Sequence, residues 1–182
     1  MALTEADFMT ALHGYIVAVT GLDGARVFRG NQSRMVLPKS GAYCIYTPII
    51  RQRRGTNVYD FDAEGLPDDK NGVDSISALV LVDVQVDFYA DYAAQNAQML
   101  EIASRSYMGT NYFKASGVDV RVCTAQNPRN LTGIDASNQY EERWSVTITA
   151  EINSALIQKL PWFEDVTLQA IKNVDVYFPP TE

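Results

Sequence analysis

Asp83 and Asp87 are the residues of this chain whose type and spacing first suggest acid–base chemistry. They lie in the segment A-L-V-L-V-D-V-Q-V-D-F-Y, residues 78–89, where apolar and polar residues alternate. Because successive strand side chains point to opposite faces, both carboxylates share one polar face with Gln85. Four strand residues span about 13 Å, whereas the two carboxylates of a glycosidase stand about 5–9.5 Å apart. The spacing therefore favours solvated carboxylates, or charges at an interface or lumen, over a catalytic pair.

Other catalytic candidates lack the context that their chemistry needs. The chain has no glycine-rich phosphate loop, and Ser104, Ser106 and Ser145 stand outside a nucleophile-elbow motif. His13 is the single histidine and lies beside an apolar helical stripe, so we interpret it as structural. Because triads and metal hydrolases need a histidine with defined partners, we predict no catalytic residues and no enzymatic activity.

The two cysteines, Cys44 and Cys123, lie in apolar, strand-like runs. Free cysteines in such runs behave as small buried hydrophobic residues. Two cysteines and one histidine are too few for the usual four-ligand zinc site. We therefore predict buried thiols, no metal site and no cofactor.

A second group of charged residues opens a long polar segment, residues 51–77. Arg51, Arg53 and Arg54 come first, and acidic residues follow them. The segment is either a solvated loop or an arm that becomes ordered on a partner subunit, with a hairpin through Val58, Tyr59 and Phe61 as one form. Three arginines are too few to indicate a nucleic-acid reader.

Periodicity and turn residues predict the elements that position these side chains. A helix begins at Thr4, buries Phe8, Leu12, Tyr15, Ile16 and Val19, and ends at Gly21 and Gly24. Residues 25–40 are irregular, and a strand at 41–50 has Pro48 near its end, at a sheet edge. Further on we predict strand 78–89, helix 91–107 ending at Gly109, strand 118–124, loop 125–138, strand 140–152, a helical or turn segment at 155–163 and strand 166–178. In the predicted helix, Tyr92, Met99 and Ile102 suggest that more than one side is covered.

This order predicts one α+β domain over residues 1–182. Its sheet is mostly antiparallel, helices cover the apolar face, and a long arm or loop protrudes at about 51–77. The opposite face is hydrophilic and carries Arg143 together with Asp83, Gln85 and Asp87.

Length, composition and charge limit the class of protein. The chain has 182 residues, of which 47% are hydrophobic and 20% charged, as in a globular protein. Its net charge of -7 disfavours sequence-independent binding to nucleic acid but allows DNA to pass without sticking. No apolar run approaches the roughly 20 residues of a membrane span. Glu5 and Asp7 argue against a signal peptide, so we expect a soluble protein made in a cytoplasm.

Several short motifs occur together in a fixed order. They are Y-T-P-I (46–49), Q-R-R (52–54), T-N-V (56–58), D-V-Q-V-D-F-Y (83–89), R-S-Y (105–107), P-R-N-L (128–131) and N-Q-Y-E-E-R (138–143). This ordered set, which covers roughly residues 41–152, resembles the phage neck-terminator (tail-terminator-like) family of tailed bacteriophages. Gly55 departs from the bulkier residue expected after the paired arginines.

The resemblance implies a non-enzymatic virion protein, assembled in the host cytoplasm and not associated with a membrane. It implies a ring, usually of six copies, that caps the tail tube protein, joins it to the head-completion or connector protein and lets DNA pass. The alternatives are another head–tail connector or tail-completion subunit, or a small-ligand-binding enzyme of the same fold. We expect the interface or lumen residues to be Arg51, Arg53, Arg54, Asp83, Gln85, Asp87 and Arg143.

Overall fold

The structure, a computed structural model, describes residues 5–33, 36–62, 71–134 and 140–161. Within these residues it has an α+β fold with a mostly antiparallel sheet, which confirms the predicted class. The helices are α1 (Glu5–Thr20), α2 (Ala93–Arg105) and α3 (Tyr107–Ala115), with a 3-10 turn at Gly24–Arg26. The strands are β1 (Val27–Arg29), β2 (Tyr43–Arg53), β3 (Val58–Asp62), β4 (Asn71–Tyr89), β5 (Val120–Ala125), β6 (Arg129–Asn130), β7 (Gly133–Ile134), β8 (Tyr140–Glu141) and β9 (Arg143–Pro161).

Helix α1 follows the predicted apolar stripe. It ends at Thr20, where Gly21 takes the left-handed conformation (φ 71°) and donates its backbone N–H to the Val17 carbonyl. The proposed N-cap, Thr4, lies outside the described residues. Side chains of the stripe fill the core beneath the sheet, and the fully buried ones are Phe8, Leu12, Tyr15 and Ile16.

The main sheet has the order β1-β2-β4-β9-β5, with β3 paired to β4 and β6 paired to β9. Only β1 is parallel to its neighbour among the described pairs, and it lies in the segment 25–40 that was predicted to be irregular. Three residues are too few to show an alternating pattern, so periodicity could not predict β1. Strands β7 and β8 form a separate small hairpin.

Strands β4 and β9 are each 19 residues long and pair along their whole length. The predicted strands at 78–89 and 140–152 are therefore confirmed but continue further. The helical or turn segment predicted at 155–163 is wrong as far as Pro161, because these residues pair with the first half of β4. Residues 162–182, including the predicted strand 166–178, lie outside the described residues.

In the residues that are described, the polar segment 51–77 consists of the end of β2, strand β3 and the start of β4, with a short connection at residues 54–57. Strand β2 runs through Pro48 to Arg53 with a bulge between Pro48 and Ile50, so the predicted strand 41–50 is confirmed but ends three residues later. Among the described strands, β1 pairs with β2 only as far as Tyr46, so Pro48 lies at a sheet edge, as predicted. Strand β3 confirms a hairpin strand through residues 58–61 and pairs with β4 from Ser77 to Val73. Residues 63–70 lie outside the described part. We call the three-stranded section formed by β3, residues 71–79 of β4 and residues 153–161 of β9 the ribbon.

The helices cover one face of the sheet, where Val82, Val84, Val86 and Phe88 of β4 are fully buried. The predicted helix 91–107 is in fact two helices, because Ser106 is extended (ψ 173°) and its hydroxyl accepts from the Met108 N–H to cap α3. Gly109, the predicted helix end, lies inside α3 near Tyr15.

Three other expectations concern single side chains. Cys44 is buried, as predicted, whereas the side chain of Cys123 lies outside the described residues. Tyr92, Met99 and Ile102 are exposed, so the prediction that α2 is covered on more than one side is wrong. In the described part of the chain, no helix is long and apolar enough to cross a membrane.

Candidate functional site

The polar face of the sheet brings together the residues that the alternation predicted. In the register of β4 and β9, Asp83 lies opposite Thr149 and Asp87 opposite Ser145. Residues directly opposite in an antiparallel pair have side chains on the same face. The face away from the helices therefore carries Asp83, Gln85 and Asp87 of β4 beside Arg143 at the start of β9.

Asp87 is the centre of this polar network. Its carboxylate accepts a hydrogen bond of 2.9 Å from Arg143 Nη2 and bonds of 3.0 and 3.1 Å from Gln85 Nε2. Although it lies on the polar face, Asp87 is only 5% exposed. Burying a carboxylate costs free energy unless it is paired and hydrogen-bonded. The hydrogen bonds from Arg143 and Gln85 offset this cost within a single subunit.

Arg143 is also held by aromatic rings. Its guanidinium carbon lies 5.6 Å from the centroid of Tyr89, and Tyr89 stacks on Tyr43 with centroids 4.6 Å apart. The Tyr43 hydroxyl donates to Glu141 Oε1 at 2.7 Å. Burial raises the pKa of Tyr43 and of Tyr89, so both phenols stay neutral near neutral pH. Burial alone would lower the pKa of Arg143, but the hydrogen bond and charge of Asp87 raise it.

Asp83 has a separate partner, since Thr149 Oγ1 donates to Asp83 Oδ1 at 2.6 Å. The two strand carboxylates therefore do not share a proton or a common ligand. Within the described ranges, no group of three or more His, Cys, Asp or Glu residues could hold a metal ion. The ring centroids of His13 and Tyr46 lie 6.2 Å apart, beside the core. This position agrees with the interpretation of His13 as a structural residue.

A cavity of about 240 Å³ adjoins the network and is lined by Tyr89, Leu131, Gly133, Ile134, Glu141 and Arg143. Its charged groups are Glu141, which accepts from Tyr43, and Arg143, which donates to Asp87. Both are already hydrogen-bonded within the chain. The arrangement offers polar contacts to another macromolecule and supplies no nucleophile next to a base.

The arginines predicted to join this site lie elsewhere. Arg51 is opposite Val82 and Arg53 opposite Val80, so both project from the face that bears the helices. Arg53 donates to the Gly55 carbonyl at 2.7 Å and to Asn57 Oδ1 at 2.6 Å. The structure therefore separates Arg51 and Arg53 from the network, and Arg54 follows directly after β2, where its backbone N–H donates to the Leu79 carbonyl. Contact of the three arginines with a partner stays a prediction.

Sequence reasoning missed Tyr43, Tyr89 and Glu141 as members of the network. Tyr89 shares the parity of Asp83 and Asp87 along β4, which was the available signal. Tyr43 could not be assigned, because its place beside Tyr89 depends on the register between β2 and β4.

The sequence model of one protein family matches residues 6–181, nearly the whole chain, and that family is described as phage neck terminator protein. The chain belongs to the phage neck terminator family. The resemblance seen in the ordered motifs is thereby confirmed, and the neck terminator described here is a structural component of a phage particle. Among curated proteins, a search finds no match to it.

Proposed function

We propose that this neck terminator is the subunit of a closed ring, of six copies as the resemblance implies, that caps the tail tube and joins it to the head connector. The observation that carries the proposal is the family match over residues 6–181. A ring needs head-to-tail contacts whose rotation closes. The partners are then further copies of the chain, the tail tube protein and the head-completion or connector protein.

We further propose that the polar face of the sheet lines the bore through which DNA passes. Asp87 and Arg143 Nη2 are hydrogen-bonded to each other within one subunit, so the Asp87 carboxylate is paired without a protein partner, whereas Arg143 Nε is buried with no hydrogen-bond partner among the described residues. The net charge of -7 disfavours tight binding to the phosphate backbone. Such a surface lets DNA slide past without holding it.

The ribbon, with Arg51, Arg53 and Arg54 at its base, is the part that we assign to contact with a neighbouring subunit or the tail tube. Every buried hydrophobic residue of the described core lies outside residues 54–79. Arg53 lies opposite Val80 in the β2–β4 pair, so a two-residue turn can join them directly. Replacing residues 54–79 with Asn-Gly therefore shortens the hairpin while keeping the core.

The test supplies this shortened protein to a phage that lacks its own copy of the gene. We expect a folded protein, with helical and strand signals in circular dichroism, that fails to yield particles with joined heads and tails. The matched control is Gly55→Ala, which leaves the ribbon intact and should restore particles. Normal particle yield from the shortened protein would overturn the assignment of the ribbon.

A further inference from the structure

The ribbon has two outer strands whose outer edges have no partner within the described residues. Among the strands that the structure describes, β3 pairs with β4 alone, and β9 beyond Ile152 also pairs with β4 alone. Both edges therefore present backbone N–H and C=O groups that another strand can pair with. Unpaired strand edges of this kind are sites where another strand can add.

Both faces of the ribbon carry exposed apolar side chains among polar ones. On the side of the sheet that bears the helices, Tyr59 is 66% and Leu156 63% exposed, and both lie opposite Ile76 of β4. On the other side, Val58 is 63% and Ile157 57% exposed. A three-stranded section with exposed apolar side chains on both faces has no core of its own, and exposed apolar side chains of this kind are typical of a surface that meets another protein.

We propose that the outer edge of β9, residues 153–158, pairs with the outer edge of β3 in a second copy of the chain. This inference rests on the proposed ring and specifies how its subunits join. The two edges lie on opposite sides of one ribbon, which gives the head-to-tail contact that a ring requires.

The direction of this pairing follows from the topology. Strands β3 and β9 both run antiparallel to β4, so they run parallel to each other. Copies related by rotation about a ring axis that runs along the strands keep their strand directions. Strand β9 of one copy therefore meets β3 of the next as a parallel pair, and the ribbons form one continuous sheet.

The charges of the two edges also fit a second copy of the chain. Strand β3, V-Y-D-F-D, contains Asp60 and Asp62, whereas residues 153–161 contain Lys159 and no acid. The proposed contact residues 153–158 carry no charge, so β3 meets no like charge at that edge. Two β3 edges side by side would instead bring acidic residues together, which disfavours a two-fold contact between them.

Cysteine cross-linking tests this contact in assembled particles. Tyr59→Cys is combined in turn with Ser154→Cys, Leu156→Cys or Gln158→Cys, because these three positions share its face and cover different staggers of the pairing. Within one copy, Tyr59 and Leu156 are separated by β4, about 10 Å apart at the strand spacing. A disulfide requires Cα atoms roughly 4.4–6.8 Å apart, so it forms only between copies.

We expect at least one of the three pairs to shift the chain, on non-reducing gels, from monomer to a ladder of covalent multimers. The matched control pairs Tyr59→Cys with Ile102→Cys, which is similarly exposed but lies on α2, and should give no ladder. The unsubstituted chain, oxidised in parallel, controls for its own two cysteines. Using three positions keeps the test decisive when one substitution prevents folding.

Two results would overturn the proposed contact. If no pair cross-links in particles that contain the chain, another segment or protein occupies the β9 edge. If Leu156→Cys alone links to itself, two β9 strands meet about a two-fold axis instead. Neither result removes the proposed neck function, which fails separately if the chain is absent from the particles.

Discussion

The structure makes a sharp prediction for the carboxylate at the centre of the polar network. Asp87→Asn keeps the size of the side chain but replaces one acceptor oxygen with an N–H donor. Arg143 and Gln85 both donate to this carboxylate, so the new N–H group faces one of these donors until the Gln85 amide turns to accept from it. The substitution also removes the negative charge that pairs with Arg143.

The expected loss can be estimated from burial. Asp87 is 5% exposed, so water replaces little of what it loses. A hydrogen bond to a charged group contributes about 1.5–3 kcal/mol, and an unsatisfied buried group costs a similar amount. The side chain of Arg143 is 35% exposed and regains water, which limits the total. We expect Asp87→Asn to lower the free energy of unfolding by about 2–3 kcal/mol.

Urea unfolding at fixed protein concentration measures this change. The matched control is Glu101→Gln, which breaks the i,i+4 pair with Arg105 in α2, where the two side chains are 15% and 50% exposed. Such a helix pair contributes about 0.3–0.5 kcal/mol, and Arg105 keeps its bonds to the Ala125 carbonyl. If the two variants lower the free energy of unfolding by amounts that agree within about 0.5 kcal/mol, the idea that Asp87 is a buried charge stabilised by its network is refuted.

Two further predictions concern packing and pH. An added Cβ at Gly30 would overlap Thr47 Oγ1, whereas one at Gly55 meets nothing within 4 Å. Gly30→Ala should therefore cost about 1–3 kcal/mol and lower the melting temperature, and Gly55→Ala should not; equal melting temperatures would contradict the close approach. Burial, together with the charge of Asp87, raises the pKa of the Cys44 thiol. An unfolded thiol ionises near about pH 8.5, whereas the buried thiol of the folded protein stays protonated. The free energy of unfolding should therefore keep its full value below that pH and fall as the pH rises above it. Urea unfolding between about pH 7 and pH 10 checks this, and an equal fall in Cys44→Ala would rule it out.

The alternation of residues 78–89 was sufficient to predict the centre of the site. A period of two places Asp83, Gln85 and Asp87 on one face whatever the sheet order. The same logic placed Arg143 on a polar face of its own strand. Arg143 lies against Asp87 only because of the register between β4 and β9. Local sequence does not specify this register.

The ribbon was harder to predict from local sequence. Residues Ala155, Leu156 and Ile157 are apolar without alternation, so they fit a helix or turn as well as a strand. Their strand conformation comes from pairing with residues 75–77, far away in the chain. The break at Ser106 was missed for a related reason, since one serine that caps a new helix interrupts the apolar stripe only slightly.

A cryo-EM map of the neck of the parent phage tests the central claim most directly. We predict several copies of this chain in a closed ring between the head connector and the tail tube, with the helices outward and the face bearing Asp83 and Asp87 toward the bore. A map of that region complete without this chain, or one that places it in another part of the particle, would contradict the account.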